Sequence, residues 1–322
     1  MALTFAGEFP HMVVCMTTTL TRAPRLERWL TRTLGEHRVV SVVADNEHGT
    51  VLEVVDDDGR WFAKRVVLER HWQSEVRAHR RWSPALRGLM PTLRAVNPRL
   101  QGLVVDALPG EHPDPFDAAA HRAAGQTLVR LQAVRPPRPA RPGVLTRPLR
   151  RVESVLGRDP DLFTAAEAGF ARSRTAVLRD LPPMPLVPSH GDYKPHNWLL
   201  DDAGTLRVID FAESRWDVPA ADLCRLSLGP WWDQPHLADA FLAGYGRRLE
   251  EHEAAYVSAH VVTNAVVSVW FNQRHGRTEE RDAARDRLHA LMDGHEVELT
   301  ESGRRRAVRG IRSVARRIVR PG

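Results

Sequence analysis

Lysine is almost missing from this chain of 322 residues. Of its 46 basic residues only two are lysine, Lys64 and Lys194, and the other 44 are arginine. This bias indicates that the chain uses arginine wherever the two residues can be exchanged. A retained lysine then lies where a compact ammonium is needed and a planar guanidinium does not fit. The alternative is that the two lysines survived by chance, which composition taken alone favours.

Cysteine, long apolar runs and a secretory leader are also lacking. Cys15 and Cys224 are the only cysteines; they have no metal-ligand spacing, and two lone thiols are typical of a reducing compartment. The most apolar helix candidate, residues 257–271, contains polar side chains that would be costly in lipid. The N-terminus has no basic region followed by an apolar one. We therefore expect a cytoplasmic protein without a membrane span.

Positive charge is concentrated at the end of the chain. Residues 303–322 hold eight arginines and no acid, so removing these eight charges from the net charge of +6 leaves −2 for residues 1–302. Apolar residues recur at helical spacing in this tail, with arginines largely on the other face. Such a helix can contact an anionic membrane or nucleic acid. The favoured alternatives are that the tail docks on its own domain or frays.

Hydrophobic periodicity predicts an N-terminal segment with a helix, then a small β-rich unit, then a mainly helical unit. The segment spans residues 1–35, with its helix over 24–34. Residues 36–108 form the β-rich unit, with a helix over 71–82 between its third and fourth strands. The predicted strands cover residues 39–43, 51–55, 61–67, 92–96 and 102–107. The helical unit spans residues 109–302, with a proline-rich surface loop from Pro136 to Pro148. Its predicted helices cover residues 116–134, 161–181, 219–228, 235–249, 253–271 and 279–292.

The most informative segment runs from residue 189 to residue 210. Asp192 and Asn197 lie five residues apart in a loop that a proline stiffens, and a strand, a turn and a second strand lead to Asp210. An aspartate at the head of such a loop can accept a hydroxyl proton, and an asparagine oxygen with a carboxylate can hold Mg²⁺ that bridges phosphate oxygens. Lys194 lies between them, where it can neutralise charge on a transferring phosphoryl group.

This segment resembles the catalytic loop of the protein-kinase-like fold, H-R-D-x-x-x-x-N. The glycine after the histidine makes it most similar to the aminoglycoside phosphotransferase and choline kinase family, whose H-G-D-x-x-x-x-N followed by I-D describes residues 190–197 and 209–210. The resemblance implies a two-lobed α+β fold with a nucleotide-binding N-lobe at residues 36–108 and a helical C-lobe at residues 109–302. It also implies Asp192 as the catalytic base, Asn197 and Asp210 as magnesium ligands, and Asp222 as a support for the loop.

The β-rich unit supports the same resemblance. In kinase-like enzymes a lysine on the third strand contacts the α- and β-phosphates of the nucleotide and pairs with a glutamate on the following helix. Lys64 and Glu75 have these positions, with Glu69 as a competing partner because only eleven residues separate Lys64 from Glu75. The two lysines of the chain therefore fall where this fold needs them. The segment 104–108 is the expected hinge against the adenine, or alternatively a plain edge strand; we assign nucleotide contacts there to Val105, Asp106 and Leu108.

Some features depart from regulated protein kinases. No G-x-G-x-x-G covers the phosphates, so the phosphate contacts of residues 44–50 stay unassigned. Gly191 replaces the arginine that reads a phosphorylated activation loop, and Asp210-Phe211-Ala212 replaces D-F-G. Both changes favour a site that is formed constitutively over one that phosphorylation switches on.

The resemblance implies phosphoryl transfer from ATP or GTP, with Mg²⁺, to a hydroxyl of a small molecule such as an aminoglycoside-like antibiotic or a related metabolite. One alternative is a kinase of choline or another amino alcohol. A second is a catalytically silent nucleotide-binding protein that acts through its basic tail. A pocket for a cationic substrate is a further hypothesis, although the favoured interpretation makes its tryptophans core and its acids solvated. Its candidate residues are Trp231, Trp232, Trp270, Glu213, Asp233 and Asp239.

Overall fold

The computed structural model describes residues 24–301. Cys15, the first 23 residues as a whole and the predicted helix of the arginine-rich tail lie outside these residues. The described chain folds as a small antiparallel sheet followed by a larger helical part.

The N-terminal part contains one five-stranded antiparallel sheet with the order β1-β2-β3-β5-β4. Helix α1 (Pro24–Leu34) precedes the sheet, and helix α2 (Glu69–Trp82) connects its third and fourth strands. The strands are β1 (Arg38–Asn46), β2 (Gly49–Asp56), β3 (Gly59–Val66), β4 (Leu93–Asn97) and β5 (Gly102–Asp106). Each strand and both helices lie where the sequence predicts them, with shifts at their ends.

One face of the sheet is closed by α1. Leu26, Trp29 and Leu30 of this helix are buried and pack with apolar residues of β2, β3 and β5. A Cβ atom at Gly102 would lie 2.9 Å from the Trp29 ring, so only glycine permits this approach. The other face meets α2 through a smaller cluster of Val76, Leu103 and Val105.

The C-terminal part is mainly helical and carries two short antiparallel pairs, β6–β9 and β7–β8. The short strands are β6 (Val187–Ser189), β7 (Trp198–Leu200), β8 (Leu206–Val208) and β9 (Arg215–Asp217). The helices before them are α3 (Ala118–Gln132), α4 (Arg147–Arg158) and α5 (Ala165–Ala176). The helices after them are α6 (Cys224–Leu228), α7 (Pro230–Asp233), α8 (His236–Tyr245), α9 (Glu251–Arg274) and α10 (Thr278–Met292).

Helix α9 is the centre of this part. It is long and apolar enough to cross a membrane, but 56% of its most apolar window is buried inside the protein. It packs against α4, α5, α6 and α10. Its polar positions and its neighbours identify it as a core helix.

Three sequence predictions in this region differ from the structure. The helix predicted over residues 219–228 begins as a 3₁₀ turn, Pro219–Leu223, before α6. Helix α4 was not predicted, because Pro148 was counted with the proline-rich loop; it occupies the first turn of the helix, where its missing N–H costs nothing. The single helix predicted over residues 161–181 is α5 flanked by two short 3₁₀ turns. Thr164 follows the first of these turns and caps α5 together with Glu167. The side chain of each residue accepts a hydrogen bond from the backbone N–H of the other.

Candidate active site

A single carboxylate accepts hydrogen bonds from the start of the loop between β6 and β7. Asp222, which is 1% exposed, accepts hydrogen bonds from Ser189 Oγ (3.0 Å), the His190 backbone N (3.1 Å) and the Gly191 backbone N (2.7 Å). Burial raises the pKa of Asp222, while His190 and these backbone donors act against it. Both carboxylate oxygens are used, so Asp222 fixes the start of the loop in one position.

Gly191 is required by the shape of this loop. Its φ angle is +83°, and a Cβ atom there would lie 2.3 Å from the carbonyl oxygen of Glu213. Both the left-handed backbone and the close approach exclude larger residues. The glycine that made the motif resemble one family therefore has a steric reason: it lets the loop pass directly against the segment after Asp210.

Asp192 lies at the head of the loop among positive groups. Its Oδ1 is 3.1 Å from Lys194 Nζ and 3.6 Å from Arg225 Nε, and its Oδ2 is 3.7 Å from His196 Nε2. Asn197 Nδ2 donates to the Asp192 carbonyl (2.8 Å) and to Oδ2 (3.2 Å). Burial alone would raise the pKa of Asp192, but His196, Lys194 and Arg225 outweigh it and hold the pKa well below its usual range. The carboxyl group is therefore ionised at neutral pH.

Asn197 and Asp210 are brought together by the β7–β8 pair. A 3₁₀ turn from Pro195 to Asn197 leads into β7, and the Ile209 backbone N donates to the Asn197 carbonyl at 3.0 Å. Asp210 follows directly, with a left-handed φ of +63° and a side chain that is 50% exposed. A non-glycine residue in this conformation costs about 1 kcal/mol or more and is common at functional sites. With this backbone conformation, Asp210 does not continue the extended chain of β8.

Lys64 connects the two parts of the chain. Its Nζ lies 2.7 Å from Glu75 Oε1 and 3.5 Å from Asp210 Oδ1. Burial disfavours the ammonium, but the carboxylates of Asp210 and Glu75 outweigh it and raise the pKa of Lys64. Burial likewise opposes the ionised form of Glu75, yet Lys64 and His79 lower its pKa to about 2. The competing partner, Glu69, instead accepts a hydrogen bond from Gln73.

Aromatic rings link α2 to the catalytic loop. Phe211, which is 1% exposed, lies between the rings of His190 (centroids 4.7 Å apart) and His79 (5.8 Å). His79 is in turn 3.8 Å from Glu75, and His190 Nε2 bonds the Ile209 carbonyl at 3.0 Å. The helix that positions Glu75 and the loop that positions Asp192 therefore share one packed cluster.

Of the three residues expected to contact the nucleotide at the hinge, two belong to a strand and one follows it. Val105 and Asp106 belong to β5, which lies between β3 and β4, so the segment is not an edge strand. The Val105 side chain is buried under the sheet, and the Asp106 carboxylate accepts from the Thr92 backbone N. Leu108 follows the strand and is half-buried. Backbone groups available to a nucleotide base therefore have to come from Leu108 and its neighbours, beyond the strand.

Three residues of the hypothetical cationic-substrate pocket have other partners. Trp231 is fully buried, and its Nε1 donates to His121 Nδ1 at 3.1 Å. Asp239 is paired with Arg248, and Glu213 lies 3.2 Å from His71. Trp231 therefore belongs to the core, and the two acids belong to ion pairs.

Arg225 beside Asp192, and Arg151 and His260 in the same cluster of charges, were missed by sequence reasoning. Arg225 lies on α6, three positions after Asp222 in the sequence, and it contacts Asp192. The only sequence signal for it was its spacing from Asp222. Arg151 lies on the unpredicted helix α4, and His260 lies on α9, so neither had a local pattern that pointed to the site.

Comparison with known proteins agrees with this arrangement. Residues 39–256, more than half of the chain, match the phosphotransferase enzyme family. The chain belongs to this family. No curated protein sequence gives a significant match.

Solved structures of phosphotransferases share the fold. Aminoglycoside phosphotransferase APH(4)-Ia superposes with a TM-score of 0.66 at 12% identity, covering 85% of this chain and 99% of its own. The GDP and kanamycin complex of APH(2")-IIia gives 0.65 at 14% identity over 84% and 99% of the two chains. Macrolide 2'-phosphotransferase type I gives 0.57 at 20% identity over 85% and 99%. At these identities the likeness shows the fold alone, and it confirms the predicted two-lobed, kinase-like α+β architecture.

The resemblance to kinase-like enzymes implies a Mg²⁺ ion, and the donor set fits one. Within residues 24–301 no group of three or more His, Cys, Asp or Glu side chains is arranged for a metal ion. Asn197 and Asp210 nevertheless offer an amide oxygen and a half-exposed carboxylate at adjacent strand ends. Mg²⁺ is commonly held by one or two protein oxygens, with phosphate and water oxygens completing its coordination. The pair suits an ion that arrives with a nucleotide.

Proposed function

We propose that this phosphotransferase transfers the γ-phosphate of ATP or GTP to a hydroxyl group of a small molecule. The observation that carries the proposal is the single constellation formed by Lys64, Asp192, Asn197 and Asp210. Two of these residues, Lys64 and Asp210, come from opposite lobes and still lie 3.5 Å apart across the cleft. Phosphoryl transfer requires mainly positioning and charge stabilisation, and these side chains supply both.

In the proposed mechanism Asp192 orients the acceptor. Its ionised carboxylate accepts a hydrogen bond from the acceptor hydroxyl and so directs the hydroxyl oxygen at the γ-phosphorus. Because its pKa is depressed, Asp192 is a weak base before the reaction. It takes the proton as the new P–O bond forms and the alcohol becomes acidic. As this bond forms, the bond between the γ-phosphorus and the β–γ bridging oxygen breaks, and ADP or GDP leaves. Transfer is direct, and no phosphoenzyme is needed.

The lysines and the metal ligands have the complementary task. Lys64, fixed by Glu75, contacts the α- and β-phosphates, and Lys194 faces the phosphoryl group in transit. Asn197 and Asp210 would hold Mg²⁺, which when bound neutralises charge on the β- and γ-phosphates. Leu108 and the backbone beyond β5 would meet the base.

The nucleotide and the acceptor class are supported only by analogy. The similar structures include a GDP complex of APH(2")-IIia and complexes of APH(4)-Ia with ADP and with AMP-PNP. Both ATP and GTP are therefore candidates. Aminoglycosides and macrolides are the acceptors that the names of these proteins suggest; choline or another amino alcohol is the metabolite alternative. A silent nucleotide-binding role is disfavoured, because the complete residue set is held in geometry suited to catalysis. We place the enzyme in the cytoplasm.

The test is acceptor-dependent nucleotide turnover. The purified full-length chain would be incubated with Mg²⁺ and ATP or GTP against aminoglycosides, macrolides, amino alcohols and hydroxy acids. Formation of ADP or GDP would be measured, with ³¹P NMR of the product. We expect a phosphate monoester from one class and no turnover in EDTA. Turnover that persists in EDTA would contradict the mechanism, and failure to bind either nucleotide would contradict the function itself.

A further inference from the structure

Some arginines beside the catalytic loop have a structural partner. Asp217, which is fully buried at the end of β9, accepts from Arg215 Nε at 2.6 Å and from Arg147 Nη1 at 2.8 Å. Its other oxygen accepts from the Val218 backbone N at 3.0 Å. A buried carboxylate needs such compensation. These two arginines are therefore explained by the fold.

Arg151 and Arg225 are not explained in this way. Arg151 lies one helical turn after Arg147 on α4, on the same side of the helix. Within residues 24–301 no carboxylate oxygen lies within the 4.0 Å of an ion pair from its guanidinium. Arg225 has a single ion pair, the 3.6 Å contact with Asp192, and its side chain is 45% exposed. Both guanidinium groups thus have hydrogen-bonding capacity left over, and that of Arg225 lies next to the proposed base.

Like charges surround Arg151. The Arg151 side chain is exposed to solvent. Partial desolvation, followed by the guanidinium groups of Arg225 and Arg215 and by Arg70 on α2, lowers its pKa, and Glu213 is the carboxylate that opposes this effect. Gathering cations in one place raises the free energy of the folded protein unless anions compensate them. Such clustering is accordingly typical of a site that binds an anion.

A half-buried histidine, one of whose ring nitrogens is fully shielded from solvent, adds an independent sign of a missing partner. His260 on α9 has its Nδ1 buried without a hydrogen-bond partner. Burial, together with Arg215, Arg225 and Arg151, lowers its pKa to about 3 despite Asp217. The ring is therefore neutral and can donate or accept one more hydrogen bond. A buried polar atom left unpaired is costly, which points to a ligand that completes it.

We propose that the acceptor alcohol carries an anionic group, a carboxylate or a phosphate, which Arg151 and Arg225 bind beside Asp192. This inference rests on the proposed phosphotransferase function and names its substrate class. Guanidinium groups match carboxylates and phosphates with two parallel hydrogen bonds. An anion held there leaves a hydroxyl on the same molecule free to reach Asp192. A polycation such as an aminoglycoside would meet unpaired positive charge at the same place.

The experiment measures anion binding to the nucleotide-loaded enzyme. The full-length chain, saturated with Mg²⁺ and a non-hydrolysable ATP or GTP analogue, would be titrated calorimetrically at fixed ionic strength. Sodium sulfate stands for a phosphate group, sodium acetate for a carboxylate, and kanamycin for a polycation. Arg151→Gln is the test variant, since Arg151 has no structural partner to lose. Arg28→Gln, an exposed arginine of α1 in the other lobe, is the matched control.

We expect sulfate or acetate to bind the wild type and Arg28→Gln equally, and Arg151→Gln at least tenfold more weakly. Markedly tighter binding of sulfate would indicate a phosphorylated alcohol, and comparable binding would indicate a hydroxy acid. The inference is overturned if the wild type binds neither anion, if Arg151→Gln binds them unchanged, or if kanamycin binds and Arg151→Gln strengthens it. If Arg151→Gln failed to bind the nucleotide analogue while the wild type and Arg28→Gln bound it, the arginine would belong to the nucleotide site instead. An analogue that fails to bind the wild type would overturn the proposed function first.

Discussion

Asp192 has to be ionised and accessible while lying in a partly enclosed site. Burial by itself would raise its pKa, and the neighbouring His196, Lys194 and Arg225 outweigh that effect. The same cations limit its strength as a base. Its main contribution is therefore orientation of the acceptor, which is worth most when the nucleophile and the phosphorus are already close.

Asp192→Ala should lower turnover by at least about a hundredfold, the usual effect of removing a positioned acid–base group. Nucleotide affinity should change little, since the Lys64–Glu75 pair and Asp210 stay in place. Steady-state kinetics and calorimetric nucleotide binding would measure the two effects separately. Asp202→Ala, in the exposed turn between β7 and β8, is the control and should behave as wild type. Near-normal turnover in Asp192→Ala would remove the aspartate from the mechanism.

The two lysines give a prediction particular to this arginine-rich chain. Lys64 lies within ion-pair distance of both Glu75 and Asp210, and Lys194 lies 3.1 Å from Asp192. Arginine is longer and planar, so Lys64→Arg should raise the KM for the nucleotide and lower kcat, and Lys194→Arg should mainly lower kcat. A displacement of about 1 Å near the reacting atoms can cost roughly a hundredfold in rate.

Kinetics and melting temperature would be measured for both lysine variants, and the melting temperature should barely move. The reverse substitution at a neighbouring exposed position, Arg65→Lys on β3, is the control and should leave both quantities unchanged. If both lysine variants kept wild-type kinetics, the scarcity of lysine in this chain would have no functional meaning.

At the level of elements, the catalytic loop is specified by contacts that cross the chain. Asp222 accepts hydrogen bonds from the start of the loop, and Gly191 lets the loop pass close to the Glu213 carbonyl. Gly191→Ala should therefore lower both stability and turnover: the left-handed backbone alone costs about 1–2 kcal/mol, and the new Cβ atom must displace the backbone of Glu213. Thermal unfolding and kinetics measure the two losses.

The same substitution elsewhere provides the control. Gly169 lies exposed in the middle of α5, and a Cβ atom added there would have nothing within 4 Å. Gly169→Ala should stabilise the protein by about 0.5–1 kcal/mol, because alanine loses less backbone entropy in a helix. Equal effects of the two changes would mean that the loop is not shaped by Gly191.

The elements that sequence could predict are those whose cause is local. Strand alternation located the five strands of the sheet, and the H-G-D motif placed Asp192 and Asn197 in one loop and Asp210 after the following pair of strands. Helix α4 was hidden because a proline in a helix's first turn looks like loop in a proline-rich stretch. Arg151 and His260 could not be found, since only tertiary packing brings α4 and α9 beside the loop. The pairing of Lys64 with Glu75 was predicted from the family resemblance and not from spacing.

For the whole molecule, nucleotide binding should act as a bridge between the lobes. Lys64 belongs to the sheet and Asp210 to the helical part, so a metal–nucleotide complex that contacts both residues stabilises their relative position. A ligand at 100 times its Kd stabilises the folded state by about 2.7 kcal/mol. The melting temperature should therefore rise by several degrees with Mg²⁺ and nucleotide, and by less when EDTA removes the metal.

Asp210→Asn isolates the metal-dependent part of this stabilisation. Asparagine tolerates the left-handed backbone of residue 210, so the unliganded variant should fold normally. It keeps an oxygen but loses the charge that Mg²⁺ prefers, so the difference in melting temperature between Mg²⁺–nucleotide and EDTA–nucleotide should largely disappear. Scanning calorimetry of both proteins under the two conditions measures it. A variant that retained the full difference would show that Asp210 does not hold the ion, and the ligand would have to be sought among the other oxygen donors of the cleft.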